Sequence, residues 1–378
     1  MIKELALQLY ELFVKLFFLS TRGNTPKNKV VFVSTFLQNT NAIVPKLLEE
    51  SDKKIVVYNF SNHAFNFQSN SLTIYNNSTI STHLSMLKDL ATASDIVIDN
   101  YYPFLGASSV LRGQIIQTWH AVGAFKKFAL LDHSLKRRPR LATKRFKNAY
   151  KNIDYILNGS KKMGNIFKDS FGLEDKNLLN FGMPSSDFYN NPKEISLSQQ
   201  EMFKKYPLIK DKIVITYAPT YRDDIYDVID VGFDIEELLN RLSNEYILIL
   251  RFHPAVQFDD KLVKSTRVIN LSHQESIESI LSVTDILITD YSSVAFDFSN
   301  FNKPIIFYPY DLKQYEYDRG FTDEYENLVS GNIVFSTDDI IQIIKSESFN
   351  KRDIQHFKNK WNEFSKGNNT ELLVEKLK

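Results

Sequence analysis

The chain has 378 residues, which at roughly 150 per domain predicts two domains or three small ones and excludes a single small module. With 43% hydrophobic and 24% charged residues the composition is that of a folded protein, and 46 Lys and Arg against 45 Asp and Glu leave no global positive field for nucleic acid. The absence of cysteine excludes disulfides, Cys-ligated zinc, iron–sulfur clusters and thiol catalysis, and points to the interior of a cell.

Met1 to Leu19 is rich in Leu and Phe but carries Lys3, Glu4, Gln8, Glu11 and Lys15. A spanning helix wants about 20 nearly uncharged residues, and a secretory signal wants an unbroken apolar stretch before small residues. Neither pattern is met. Glu4, Gln8, Glu11 and Lys15 instead fall on one helical stripe, with Leu5, Leu9, Leu12, Phe13, Leu16 and Phe17 opposite. Residues 1–22 are expected to form an amphipathic helix, docked on the protein's own core or lying in a membrane interface.

From Lys27 short β-branched runs alternate with helical periods. Strands are expected at Val30 to Val33, Lys54 to Tyr58, Ser71 to Tyr75, Asp95 to Ile98, Gln114 to Thr118 and Asp154 to Leu157. The pattern breaks around Gly182 to Pro192 and resumes at Ile213 to Tyr217, Tyr246 to Leu250, Arg267 to Asn270, Asp285 to Thr289 and Pro304 to Phe307. This predicts an α/β fold of two doubly wound, Rossmann-like domains facing a cleft, residues 23–188 and 189–378.

In such sheets ligands sit beyond the carboxyl ends of the strands, where helix N-termini present N–H groups to anions. Four strand ends of the second domain carry suitable chemistry. Thr220 and Arg222 follow Ile213 to Tyr217, and Arg251 and His253 follow Ile247 to Leu250, with Pro254 stopping the strand. Asp290, Ser292 and Ser293 follow Ile286 to Thr289, and Tyr315 to Phe321, with Arg319, follows Ile305 to Tyr308. Plain helix capping by Ser292 or Ser293 competes with a phosphate seat there. Convergence of hydroxyl, guanidinium and imidazole groups at one edge suits a nucleotide diphosphate. Asp223, Asp224, Asp290 and Asp297 have the chemistry to bind Mg²⁺, although paired Asp at strand ends more often serve as caps.

In the first domain His120 stands where a strand gives way to the small-residue turn Ala121-Val122-Gly123-Ala124. Between Lys126 and Lys162 twelve Lys and Arg face only Asp132 and Asp154, which suits an anionic partner such as membrane phosphates or a pyrophosphate-linked lipid.

These residues resemble the CDP-glycerol glycerophosphotransferases of Gram-positive wall teichoic acid synthesis. The resemblance rests on Trp119-His120-Ala121 with Gly123 and Lys126, on Gly182-Met183-Pro184 with Asp187, and on Tyr217-Ala218-Pro219-Thr220-Tyr221-Arg222-Asp223. It rests further on Arg251-Phe252-His253-Pro254, Thr289-Asp290-Tyr291-Ser292-Ser293 with Asp297, and Arg319-Gly320-Phe321. It implies a GT-B architecture, CDP-glycerol on the C-terminal domain, and an undecaprenyl-diphosphate-linked disaccharide approaching the basic N-terminal domain at the cytoplasmic membrane face. His120 and His253 would be catalytic, His120 as general base. Thr220, Arg222, Arg251, Asp290, Ser292, Ser293 and Arg319 would bind CDP-glycerol, and Trp119, Gly123, Lys126 and Lys127 the acceptor. His120-Ala121 looks like the primase branch, where polymerases read His-Gly-Thr, and Ser185 stands where the family usually has Arg. A polymerase, a CDP-ribitol donor, a nucleotide-sugar glycosyltransferase, a non-catalytic membrane-associated binding protein and homo-oligomerisation stay open on the residues themselves.

Overall fold

The computed structural model describes residues 2–21, 27–222, 232–253, 256, 258–259 and 263–378, with side chains of the first helix described from Glu4. The chain forms two compact units: Met1–Val122, Lys127–Asp187 and Glu363–Lys378 in the first, Gly123–Lys126 and Phe188–Asn362 in the second.

The first unit is built on a parallel sheet of seven strands: β1 (Lys29–Ser34), β2 (Lys54–Asn59), β3 (Leu72–Tyr75), β4 (Asp95–Ile98), β5 (Gln114–Gln117), β6 (Tyr155–Leu157) and β7 (Leu178–Leu179). Their order is β3-β2-β1-β4-β5-β6-β7, so chain direction across the sheet reverses between β1 and β4. β1 and β4 are buried at every position, as strands covered on both faces must be.

The second unit repeats the plan with β8 (Ile213–Tyr217), β9 (Tyr246–Leu250), β10 (Val268–Asn270), β11 (Ile286–Thr289), β12 (Ile305–Phe307) and β13 (Asn332–Ile333). The order β10-β9-β8-β11-β12-β13 puts its switch point between β8 and β11. The edge strands β7 and β13, two residues each, carry no period long enough to read in sequence.

The two units part beside the expected division at 188/189, and they interleave in two places. Gly123–Lys126 joins the second unit because Phe125 is buried among Phe296, Trp361, Tyr325 and Phe357. There its carbonyl accepts the Thr322 N–H at 2.8 Å. Gly123 permits the approach, since a Cβ would lie 2.6 Å from Trp361 and 2.8 Å from Phe296. At the other end, helix Asn369–Leu377 belongs to the first unit: Asp187 accepts the N–H groups of Asn369 and Thr370 at 2.9 and 2.8 Å, and Leu373, Val374 and Leu377 are buried.

Helix Ile2–Ser20 also belongs to the first unit, turned in an unexpected sense. Val14 and Phe18 enter the core with Phe17 packed against it, and the first part of the polar stripe faces the protein while Lys15 is exposed: Glu4 pairs with buried Arg145 at 3.3 Å, and Glu11 Oε1 is buried. Leu5, Leu9, Leu12, Phe13 and Leu16 are 49–59% exposed. Among the described residues no helix is long and apolar enough to cross a membrane.

Candidate active site

At the second switch point the ends of β8 and β11 are tied by one carboxylate. Asp290 Oδ1 accepts the N–H groups of Thr220 at 2.8 Å and Tyr291 at 2.5 Å, and Oδ2 accepts Arg222 Nη1 at 2.6 Å. Arg222 also donates Nε and Nη2 to Asp311 at 3.0 and 2.8 Å. The rings of Tyr310, Tyr315 and Tyr291 surround the guanidinium at 5.1–5.5 Å. Burial works against this cation, but Asp290 and the Asp311 hydrogen bonds outweigh it and hold the pKa above the ordinary arginine range. Arg222 is thus a cross-strand clamp whose charge is balanced inside the protein. Asp311 was missed in sequence, although it lies three residues beyond Tyr308, where the strand-end rule points.

Two buried polar atoms on this edge have no protein partner, Thr220 Oγ1 and Arg251 Nε. Such atoms cost free energy unless a ligand or water meets them. Arg251 Nη1 donates to the carbonyls of Phe252 at 2.8 Å and Ser272 at 2.5 Å, which aims the guanidinium, and burial lowers its pKa. His253 is exposed beside the Tyr221 ring at 4.9 Å, and its pKa is lowered by burial and by the charges of Arg251 and Lys126. Ser293, at the N-cap of helix Val294–Phe298, makes no side-chain cap, and Ser292 Oγ reaches the Val294 N–H only at 3.5 Å. The capping alternative therefore leaves the Ser293 hydroxyl unused.

Lys126 and Gly123, read as acceptor contacts of the N-terminal domain, are placed in the second unit. Lys126 pairs in an antiparallel bridge with Phe321, its Nζ lies 5.6 Å from the Tyr315 ring centroid, and it senses the charges of Asp290, Arg319 and Arg222. Burial pushes its pKa down to about 8, with Asp290 opposing and the two arginines reinforcing the shift. Arg319 is exposed at the end of helix Leu312–Arg319, which Gly320 terminates at φ +68°. The structure thus gathers Thr220, Arg222, Asp290, Lys126 and Arg319, with Tyr221, His253 and Arg251 along the same edge.

Of the Mg²⁺ candidates, Asp223 and Asp224 lie outside the described residues, as does Pro254. Asp290 is occupied by three donors, and burial, with Glu278 adding, pushes Asp297 up to about 8. Among the described residues no group of three or more His, Asp or Glu could hold a metal ion.

In the first unit His120 follows β5. Its ring lies between Phe36 at 4.3 Å, stacked at 25°, and Trp119 at 4.2 Å, which cover its faces while the rest of the residue keeps contact with solvent. Nδ1 is 3.3 Å from the carbonyl oxygen of Asp99, and burial lowers the pKa. Trp119 has φ +61° and packs on Phe128, Phe171 and Phe167 at 4.8–5.9 Å, with its carbonyl accepting Asn39 Nδ2. Trp119 thus anchors the turn. Lys127 is half-buried, and Lys136, Arg137, Arg138, Arg140 and Lys144 are exposed.

Sequence reading missed Asp99. It is 2% exposed at the end of β4, and its carboxylate accepts the N–H groups of Thr35 at 2.9 Å and Phe36 at 2.7 Å and the Tyr102 hydroxyl at 2.8 Å. Burial pushes its pKa up to about 6 against these hydrogen bonds.

Two doubly wound parallel sheets in one chain, the second with cationic and hydroxyl side chains at its strand ends, make a GT-B-like fold. Residues 15–378 match the family model described as CDP-glycerol:poly(glycerophosphate) glycerophosphotransferase. The chain is 39% identical over 285 residues to the teichoic acid glycerol-phosphate primase of Bacillus subtilis (strain 168), covering 74% of this chain and 72% of that protein. It is 32% identical over 289 residues to the teichoic acid glycerol-phosphate primase of Bacillus spizizenii W23, covering 75% and 74%. The solved structure of the wall teichoic acid polymerase TagF covers 100% of this chain and 97% of that one, with TM-score 0.77 at 20% identity, a likeness of fold. The chain belongs to the CDP-glycerol glycerophosphotransferase family and is an enzyme of teichoic acid synthesis.

Proposed function

We propose that the protein is a teichoic acid primase. It moves sn-glycerol 3-phosphate from CDP-glycerol to undecaprenyl-diphosphate-linked N-acetylmannosaminyl-N-acetylglucosamine and releases CMP. The observation that carries this reading is the likeness to two glycerol-phosphate primases over about three quarters of the chain.

The acceptor hydroxyl oxygen attacks the β-phosphorus, the bond from that phosphorus to the bridging oxygen breaks, and CMP leaves with the electron pair. Such transfers depend on positioning and charge stabilisation. His120, its pKa lowered by burial, is neutral at pH 7 and takes the hydroxyl proton, a role worth about 10²–10⁴-fold. Thr220 Oγ1, Arg251 and Lys126 meet the diphosphate, with His253, Ser292, Ser293 and Arg319 beside it. Asp290 and Arg222 hold that edge in shape.

The test is incubation with CDP-glycerol and a soluble lipid-diphosphate disaccharide, reading CMP release and product mass. One added glycerophosphate per acceptor with excess donor supports the primase. A ladder makes the enzyme a polymerase, turnover only with CDP-ribitol moves the donor, and UMP or UDP release from a nucleotide sugar overturns the reading.

We further propose that the enzyme works as a peripheral protein on the cytoplasmic membrane face. The outward Leu stripe of helix Ile2–Ser20 supports this, together with helix Arg140–Lys151, which carries exposed Arg140 and Lys144 and is joined to it through the buried Glu4–Arg145 pair. An apolar stripe beside cations suits a bilayer with anionic headgroups.

A further inference from the structure

In a doubly wound sheet the N-terminus of the helix after the first strand, at the switch point, is the ordinary seat for a ligand anion. In the first unit that helix is Leu37–Glu50, and its N-cap residue Phe36 offers no side-chain cap. The free N–H groups of Thr35 and Phe36 point instead at the Asp99 carboxylate from the neighbouring strand β4. The protein's own anion fills the seat, and the Tyr102 hydroxyl closes it, bonded to Asp99 at 2.8 Å and to Thr35 Oγ1 at 2.9 Å.

The same residue reaches His120 in two ways. Its carbonyl oxygen lies 3.3 Å from Nδ1, and a carbonyl can only accept, so the contact selects the imidazole with the proton on Nδ1. Nε2 is then left with the lone pair a base needs. Its carboxylate fixes the Thr35–Phe36 turn, and Phe36 stacks on the imidazole at 4.3 Å.

We propose that Asp99 is the positioning residue of His120: its carbonyl selects the Nδ1-protonated tautomer, and its carboxylate holds the turn whose phenyl ring fixes the plane of the imidazole. This rests on the reading of His120 as base. Asp99 touches no substrate; it acts on turnover through the orientation of the ring.

The experiment uses full-length protein labelled with ¹⁵N-histidine, with the His120 signals assigned by comparison with His120→Asn. Wild type shows one neutral tautomer, protonated at Nδ1. In Asp99→Asn the amide NH₂ confronts donors that the carboxylate accepted. The main-chain carbonyl survives this change, so the effect is carried by the turn: with Phe36 released the ring tilts off that carbonyl, and we expect a tautomer mixture, kcat down about tenfold or more, and CDP-glycerol affinity within twofold. A folded Asp99→Asn with a single tautomer and wild-type kcat overturns the proposal, as does a loss found entirely in donor affinity. Should Asp99→Asn fail to fold, Phe36→Ala serves, because that ring is 36% exposed and Asp99 bonds only to the main chain of the turn. Its expected result is lower kcat with the His120 pKa raised toward its ordinary value as water reaches the ring; no change in either overturns the proposal. Failure of the base reading is seen separately, as turnover retained in His120→Asn.

Discussion

Asp290 Oδ2 and Arg222 Nη1 meet at 2.6 Å, with the carboxylate side chain 1% and the arginine side chain 13% exposed. This buried pair links residues 68 positions apart and joins the ends of the two strands that flank the second switch point. Its partners are charged, so it resists loss of either one more than it would resist replacement of both.

Arg222→Met should therefore destabilise the protein by about 3–5 kcal/mol, because it leaves the buried Asp290 charge with two N–H donors and no cation. Urea unfolding measures this. A midpoint equal to wild type would show that the clamp does not hold the edge.

Lys126 should make donor binding sensitive to alkali. Its pKa near 8 means that the ammonium is present at pH 7 and lost as pH rises through 8. CDP-glycerol affinity, measured calorimetrically from pH 6.5 to 9.5 (an assay range of about three units), should weaken by up to about tenfold per unit above that point. In Lys126→Met it should be weaker at pH 7 and flat. An unchanged affinity in the variant would return Lys126 to the acceptor.

How much of this was legible beforehand differs from residue to residue. The β8, β9 and β11 ends could be read because buried parallel strands are continuous apolar runs, and the polar residues after them stand out. Which unit owns Lys126 could not be read, since it is decided by Phe296, Thr322 and Trp361, far along the chain. The periodicity of the first helix showed two faces, yet the partner that turns the polar one inward is Arg145, 141 positions from Glu4. Asp99 was hidden because a lone Asp after a strand has no pattern, and its meaning comes from the turn it caps.

His120→Asn should lower kcat by about 10²–10⁴-fold and leave CDP-glycerol affinity nearly unchanged. In wild type kcat should fall as pH drops through the His120 pKa, which burial sets below the usual 6.5, because the imidazolium cannot accept a proton. An acid limb that persists in a residually active variant would assign it to another group.

The outward stripe makes a prediction about surfaces. Leu9→Glu with Leu16→Glu changes two side chains that are 59% and 58% exposed, so stability should stay within about 0.5 kcal/mol for each. Flotation with phosphatidylglycerol-rich vesicles should be lost. A variant that still floats would move the attachment elsewhere, and dissociation of a dimer by the same changes would make the stripe a contact between copies.

Gly123→Ala should cost about 1–3 kcal/mol by overpacking, because the new methyl meets two aromatic rings. Thermal unfolding reads this directly, and an unshifted melting temperature would mean that Trp361 and Phe296 give way freely.

The interleaving of the two units bears on how the gene can be cut. A fragment beginning at Phe188 would lack Gly123–Lys126, and with it the edge that Phe321 and Thr322 hold. It would also carry helix Asn369–Leu377 with Leu373, Val374 and Leu377 stripped of cover. Neither half is therefore a portable module: insertion, swapping or shuffling of the second unit must take two separate stretches of sequence together.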